Sequence, residues 1–183
     1  MSELIRSTSA AGVDLRPSSD PQFASSYAAA GRMVVIVLRT ADGQEVFRDL
    51  DFARACLDRL VRLCARGKAR VYAYCLMPDQ ASFLVRIAVG TPVAQFVQRW
   101  KSLCYRQRRG SGTDPSFWES GYHQTPVPGS ANLLDLAEEI WSKPVKGGLV
   151  KNFKDYPLNG SLEWHLGAAG SRGVGKAKRC ATD

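Results

Sequence analysis

Histidine is nearly absent from this chain, in which only His123 and His165 occur among 183 residues. Cysteine is sparse as well. The five cysteines include no C-x-x-C pair, which argues against both a zinc ribbon and a disulfide framework. No apolar run approaches the roughly 20 residues that cross a bilayer, and residues 1–9 hold no apolar segment of a secretory signal. These absences predict a cytoplasmic protein with reduced thiols and no membrane partner.

Positive charge is the feature that the chain has in excess. Lys and Arg outnumber Asp and Glu by 25 to 17, for a formal net charge of +8. Such an excess favours polyanionic partners such as nucleic acids, because phosphate contacts release condensed counterions. With 45% hydrophobic and 23% charged residues, the middle of the chain can also bury a core, which excludes disorder driven by composition.

The two ends of the chain differ in composition from its middle. Residues 1–31 are rich in Ser, Ala and Pro without sustained periodicity, which predicts a flexible N-terminal arm. Residues 166–183 mix Gly, Ala and Ser with Arg and Lys, which predicts a flexible basic tail. One folded domain is therefore expected over residues 32–165, a length that suits a single hydrophobic core.

Hydrophobic periodicity divides this middle part into strands and helices. Apolar runs predict four strands, over residues 33–39, 71–76, 83–89 and 122–127. Apolar stripes predict three helices, over residues 51–66, from residue 92 to at least 104, and over residues 133–142. The order is that of a ferredoxin-like βαββαβ domain of the α+β class, an antiparallel sheet with two helices on one face plus an extra C-terminal helix.

Each predicted helix has a residue suited to cap its N-terminus, namely Asp51, Thr91 and Asn132. The first helix is expected to bury Leu57, Leu60, Val61 and Cys64. The second is expected to bury Val93, Phe96, Val97, Trp100, Leu103 and Cys104. These stripes leave the charged side chains of both helices outside the core.

Three groups of cations occur on this scaffold. The first has five cations within eleven residues, with no acid among them: Arg99, Lys101, Arg106, Arg108 and Arg109. The second comprises Arg59, Arg62, Arg66, Lys68 and Arg70, and the third Lys143, Lys146, Lys151 and Lys154. The first group lies off the apolar stripe, so its side chains are expected to project from the domain. Phosphate contacts and solvated helix faces both produce such groups, and the residues alone leave the two interpretations open.

Four strings in this sequence resemble one protein family, in the same order and at similar spacing. Residues 73–85, AYCLMPDQASFLV, resemble the A-x-x-x-M-P-[DN]-H-x-H-x-L strand of the HUH single-strand DNA transposases, and most of all that of the REP-associated tyrosine transposases. The other strings are FVQRWKS at 96–102, FWESGYH at 117–123 and PVKGGLV at 144–150, which DYP follows at 155–157. The resemblance covers about residues 30–164.

The departures from this family fall on its catalytic positions. The resemblance implies a divalent Mg²⁺ or Mn²⁺ ion held by two histidines, and a nucleophilic tyrosine five residues before the proline of an N-P motif. Here Gln80 and Ser82 stand at the histidine positions, whereas Glu139 replaces the tyrosine and Lys143 the asparagine. An amide and a hydroxyl are poor substitutes for imidazole, and a carboxylate cannot form a phosphotyrosine bond. We therefore expect a catalytically inactive relative, with no catalytic residues and no metal cofactor.

The resemblance implies single-stranded or hairpin DNA as the partner, bound through phosphate contacts and base stacking. The candidate DNA-contacting residues are Arg99, Lys101, Arg106, Arg108, Arg109, Trp118, Lys146 and Lys151. Two other interpretations stay open. One is an active single-strand endonuclease that has moved its nucleophile, to Tyr105 or Tyr122 for example, and the other is a protein-interaction module whose basic surface is incidental. Both a monomer and a homodimer fit the sequence.

Overall fold

The computed structural model describes residues 31–109 and 117–164. The predicted N-terminal arm, except for Gly31, and the whole predicted basic tail lie outside these residues, so both stay predictions. Among the described residues, no helix is long and apolar enough to span a membrane. The elements follow the predicted order of strand, helix, strand, strand, helix, strand and helix, which confirms the α+β class and the βαββαβ arrangement.

Five antiparallel strands form one sheet in the order β4-β1-β3-β2-β5. The strands are β1 (Arg32–Arg39), β2 (Ala69–Met77), β3 (Gln80–Ile87), β4 (His123–Pro126) and β5 (Asn159–Gly160). The helices are α1 (Leu50–Cys64), α2 (Val93–Arg109), α3 (Leu133–Trp141) and α4 (Lys143–Lys146). Short 3-10 helices cover Ala41–Gly43, Val46–Arg48 and Phe153–Asp155. The first four strands lie where the sequence predicted them, to within three residues at each end.

Both faces of the sheet are buried, which explains the continuous apolar sequence of β1. On one face, Ile36 and Phe83 belong to a core that includes the apolar stripes of α1 and α2. On the other face, Met33 and Leu84 belong to a second core with Trp141 of α3. The two predicted helices therefore share one face, and the extra C-terminal helix covers the opposite one.

Helix α1 begins at Leu50, because Asp49 rather than Asp51 is its N-cap. The Asp49 carboxylate accepts hydrogen bonds from the backbone N–H groups of Asp51 at 3.0 Å and of Phe52 at 3.1 Å. The prediction of Asp51 as the cap is therefore wrong. Either aspartate could cap a helix, and the earlier one does so here.

The first predicted stripe is partly wrong and the second is largely confirmed. Helix α1 buries Ala53, Cys56, Leu60 and Leu63, whereas Val61 is 37% exposed. The small side chains of Ala53 and Cys56 allow α2 to approach closely, and the Trp100 indole N–H donates to the Cys56 carbonyl at 3.1 Å. Helix α2 buries Val93, Phe96, Val97, Trp100 and Cys104, while Leu103 is only partly buried.

The starts of α2 and α3 differ in how well the sequence predicted them. Helix α2 begins at Val93, and the carbonyl of Pro92 accepts its first helical hydrogen bond from Phe96 at 3.4 Å, so Thr91 is not the cap. For α3 the predicted cap is confirmed, since the Asn132 side chain accepts from the backbone N–H of Leu134 at 3.0 Å. The sequence analysis did not predict α4 or the two-residue strand β5.

Candidate nucleic-acid interface

Helices α1 and α2 enclose a surface groove of about 610 Å³ that is lined mainly by arginine. Its cationic residues, called the arginine groove below, are Arg59, Arg62, Arg66, Arg99 and Arg106. The remaining described lining residues are Leu63, Gln95, Gln98, Ser102 and Leu103, so this part of the lining contains no carboxylate. Five guanidinium groups without an acid among them form a local field that attracts anions. The planar guanidinium fork also suits the oxygen atoms of a phosphate group.

Helical spacing explains why these arginines meet in one groove. Arg59, Arg62 and Arg66 follow one another at i, i+3 and i+7, and Arg99 and Arg106 are seven residues apart, so each set occupies one helix face. The packing of α1 beside α2 then brings the two faces together. In the sequence these residues fall into two separate groups, and Arg59, Arg62 and Arg66 were not among the predicted DNA contacts. The spacing of these three arginines along one helix face is the sequence feature that could have predicted them as candidate contacts.

The other cations of α2 lie on a different side of the helix. The Lys101 ammonium donates to the carbonyls of Glu119, at 2.9 Å, and of Gly121, and burial lowers its pKa. The Arg108 guanidinium lies 5.1 Å from the ring centre of Phe117. Lys101 and Arg108 therefore do not project from the domain as the sequence predicted, and their contact with DNA stays a prediction. Arg109 is the last residue of α2, and its side chain lies outside the described part of the structure.

Trp118 belongs to an aromatic cluster and does not form an exposed stacking surface. Its ring centre lies 4.8 Å from that of Phe117, 5.4 Å from that of Trp100 and 5.8 Å from that of Phe47. The Lys101 ammonium lies 5.7 Å from the centre of the Trp118 ring. Because its neighbours already cover much of this ring, the structure does not support the expectation that Trp118 is an exposed stacking residue.

A second polar site lies on the opposite face of the sheet, at the positions where the family resemblance implied catalysis. In the register of the sheet, Ser82 of β3 lies opposite Cys75 of β2, and Gln80 lies opposite Arg39 of β1. Directly opposite residues share a face, and here it is the face that α3 covers. Ser82 is completely buried, and its hydroxyl accepts a hydrogen bond from the Lys143 ammonium at 2.7 Å.

Lys143 reaches this strand because α4 packs closely on the sheet. Pro144 is buried, and a Cβ atom added to Gly147 would lie 2.8 Å from the terminal methyl carbon of Met77. Burial lowers the pKa of Lys143, and the nearby charge of Arg39 acts in the same direction, whereas the carboxylate of Glu139 opposes it. Burial also raises the pKa of the neighbouring Cys75 thiol to about 12, which keeps this thiol neutral at physiological pH.

Of the three positions that the resemblance related to catalysis, Ser82 and Glu139 lie close to Lys143, and Gln80 lies opposite Arg39 in the sheet. Lys146 is exposed on α4 and Lys151 follows that helix, so neither lines the arginine groove. Lys143 belongs to a group of four lysines in the sequence, and its partial burial was not predicted. The sequence feature that could have predicted this burial is that Lys143 replaces the asparagine of the N-P motif.

The residues at this second site do not fit the divalent metal that the resemblance implied. Among the described residues, no group of three or more His, Cys, Asp or Glu side chains could hold a metal ion. The ammonium of Lys143 also lies beside Ser82, where its positive charge disfavours a second cation. The local chemistry is therefore that of a fixed monovalent cation next to a neutral hydroxyl.

Comparison with solved structures relates this fold to that of a transposase. The structure of a REP-associated tyrosine transposase bound to a REP hairpin matches with a TM-score of 0.58 at 14% sequence identity, over 70% of this chain and 76% of that chain. A proposed transposase from Deinococcus radiodurans R1 matches with a TM-score of 0.46 at 17% identity, over 60% of this chain and 91% of that chain. No protein-family model and no curated protein matches the sequence. The first match shows that the chain has the fold of a REP-associated tyrosine transposase, as its sequence strings indicated.

Proposed function

We propose that this protein is a transposase-like DNA-binding protein that binds hairpin or single-stranded DNA and does not cleave it. The observation that carries the proposal is the arginine groove, in which two helices contribute five guanidinium groups and no acid. The solved structure that shares this fold holds a REP hairpin, which supports a DNA hairpin as the ligand.

Binding through the arginine groove is expected to be mainly electrostatic. Arginines that contact phosphate oxygens position a nucleic acid without reading its bases, so the groove favours a DNA shape over a base sequence. The side chains of Gln95, Gln98 and Ser102 supply neutral hydrogen-bond donors between the cations. Affinity should therefore fall steeply with salt and depend little on the sequence of the strand.

The absence of cleavage is inferred from the chemistry of the second site. Strand cleavage by a tyrosine transposase needs a nucleophile and a cation that polarises the phosphate. Glu139 is no substitute for the tyrosine, because its carboxylate would repel the phosphate, and Ser82 is too deeply buried to reach one. Tyr122 is partly buried against the core of α1 and α2, and burial raises the pKa of its phenol. Tyr105 packs against the core of α1 and α2.

The proposal is tested by measuring binding and cleavage together on labelled hairpin, single-stranded and duplex DNA, each with and without Mg²⁺ or Mn²⁺. We expect salt-sensitive binding to the hairpin and the single strand, no effect of the metal, and no cleaved product. Metal-dependent cleavage would instead support the relocated endonuclease. The absence of any salt-sensitive DNA binding would support the protein-interaction module.

A further inference from the structure

Lys143 is a partly buried cation with few partners inside the protein. An ammonium group has three hydrogen-bond donors, and among the described residues Lys143 has one acceptor, the Ser82 hydroxyl at 2.7 Å. Among the described residues, none of the ion pairs involves Lys143. Lys143 is partly withdrawn from water, and a cation in such surroundings attracts an anion more strongly than a fully exposed one does.

The surroundings of Lys143 are also cationic. Arg39 is exposed at the end of β1, and Lys146 is exposed one turn along α4. Both lie close enough to act electrostatically on Lys143, as does the single carboxylate of Glu139. Counting the described residues alone, three cations face one acid, which gives the site a net positive charge. Because the cations come from β1 and α4, an anion that contacts both elements needs several acceptor oxygens.

We propose that Lys143, Arg39 and Lys146 form a binding site for a backbone phosphate of DNA, in which the Lys143 ammonium takes the place of a metal ion. The Ser82 hydroxyl holds this ammonium in place, and the close approach of Gly147 to Met77 holds α4 against the sheet. The site lies on the sheet face opposite to the arginine groove, so it is a second and separate contact. The inference rests on the proposed function, since it takes nucleic acid as the source of the phosphate.

A phosphodiester is a suitable ligand for this site. A phosphodiester presents two unesterified oxygens and can accept from Lys143 and from the fork of Arg39 at once. A monovalent ammonium attracts the phosphate without the strong polarisation that a divalent metal gives. The site therefore binds a phosphate and leaves its ester bonds intact.

The test uses a protein in which the arginine groove is weakened by Arg62→Gln and Arg99→Gln, so that the second site dominates the signal. The probe is a single-stranded trinucleotide with a 5′-phosphate, titrated in EDTA while the side-chain NMR signals of the lysines are followed. We expect a saturable shift of the Lys143 signal and none for Lys154, an exposed lysine whose ammonium lies 6.0 Å from the ring centre of Phe153. No shift of the Lys143 signal at any trinucleotide concentration would overturn the proposal.

Substitutions give a second and independent readout. Lys143→Gln and Arg39→Gln should each weaken trinucleotide binding by about tenfold, the effect of one lost charge-assisted hydrogen bond. Lys154→Gln is the matched control and should leave the affinity unchanged. Glu139→Gln should tighten binding, because it removes a nearby negative charge, whereas a merely structural role of the cluster would predict no gain. Arg39 is exposed, so its variant keeps the test valid even if Lys143→Gln does not fold.

The outcomes separate this proposal from the proposed function. If hairpin binding depends on the arginine groove but the trinucleotide does not bind, only the second site is wrong. If inorganic phosphate binds and the trinucleotide does not, the site takes a free anion, and nucleic acid as the source is overturned. If the trinucleotide binds through Lys143 but hairpin binding does not depend on the arginine groove, the proposed role of the groove is wrong and the second site is supported.

Discussion

The ammonium of Lys143 lies 2.7 Å from the hydroxyl of Ser82, although 61 positions separate the two residues in the sequence. This hydrogen bond links α4 to β3, the central strand of the sheet. By the family resemblance, the same two positions would hold the asparagine of the N-P motif and a metal-binding histidine. The fold therefore brings these two positions together, and the side chains present give them a different chemistry.

Removing the acceptor of this hydrogen bond should destabilise the protein. Ser82→Ala leaves the ammonium of Lys143 without its partner, and we expect the free energy of unfolding to fall by about 1–3 kcal/mol. The double variant Ser82→Ala with Lys143→Met removes both polar groups and should recover most of that loss. Urea denaturation of the wild type, both single variants and the double variant measures these values. A double variant that is less stable than either single variant would contradict this account.

The two sides of α2 should respond differently to loss of charge. Arg106→Gln removes a cation from the arginine groove and should weaken hairpin binding while leaving stability nearly unchanged. Arg108→Gln removes a guanidinium that lies over the rings of Phe117 and Phe52, and should lower the free energy of unfolding by about 0.5–2 kcal/mol. Thermal melting and a binding titration of both variants test this difference. Equal losses of stability in the two variants would show that the division of α2 into two sides is wrong.

Two glycines that approach a side chain closely should tolerate alanine unequally. A Cβ atom at Gly160 would lie 2.6 Å from the hydroxyl oxygen and 2.9 Å from the ring of Tyr74, and overpacking of this kind costs about 1–3 kcal/mol. A Cβ atom at Gly147 would be closest to the terminal methyl carbon of Met77, which can rotate away. We therefore expect Gly160→Ala to lower the melting temperature more than Gly147→Ala does. A larger decrease of the melting temperature for Gly147→Ala would mean that Tyr74 of β2 packs less closely on Gly160 of β5 than the structure shows.

Tyr156 should make stability depend on pH in the alkaline range. Its hydroxyl donates to the Leu76 carbonyl at 2.8 Å, and burial raises the pKa of Tyr156 from its ordinary value of 10.0 to about 12. The folded state holds the Tyr156 proton more tightly than the unfolded state does. Tyr156 therefore contributes fully to stability below pH 10, and this contribution is lost as the pH rises towards 12. The stability advantage of the wild type over Tyr156→Phe should therefore shrink across that interval. The same comparison cancels the effect of the partly buried Cys64 thiol, whose pKa burial also raises to about 12, but not that of Cys75, whose charge contributes to the raised pKa of Tyr156. A stability difference between the wild type and Tyr156→Phe that stays constant from pH 10 to 12 would contradict the raised pKa of Tyr156.

Local sequence signals were sufficient to predict the order of the main elements. The β-branched run of β1, the apolar stripe of α2 and the Asn132 cap each depend on neighbouring residues alone, and all three are present in the structure. The choice between Asp49 and Asp51 could not be predicted, since both are good caps and packing decides between them. Strand β5 has only two residues, and its contacts are with elements distant in sequence. The indole N–H of Trp141 donates to the carbonyl of Gly160 at 2.9 Å.

The candidate sites were predictable only in part. Helical spacing alone separates Arg99 and Arg106 from Lys101 and Arg108, but the meeting of the α2 arginines with those of α1 depends on how the two helices pack. Lys143 was harder to predict, because lysine is rarely buried and a run of lysines is usually solvated. Its burial depends on Ser82 and Met77, which are remote in the sequence and adjacent only in the folded sheet.

The salt dependence of hairpin binding tests the central claim most directly. The groove variant Arg62→Gln with Arg99→Gln loses one exposed cation from each helix. The matched control is Arg48→Gln with Arg54→Gln, whose arginines are exposed, lie outside the groove and pair with Glu45 and Asp51. If both groove arginines contact phosphates, the slope of log K against log salt should flatten by about 1.4–1.8 in the groove variant and stay unchanged in the control. An affinity and slope of the groove variant equal to those of the control would contradict the account.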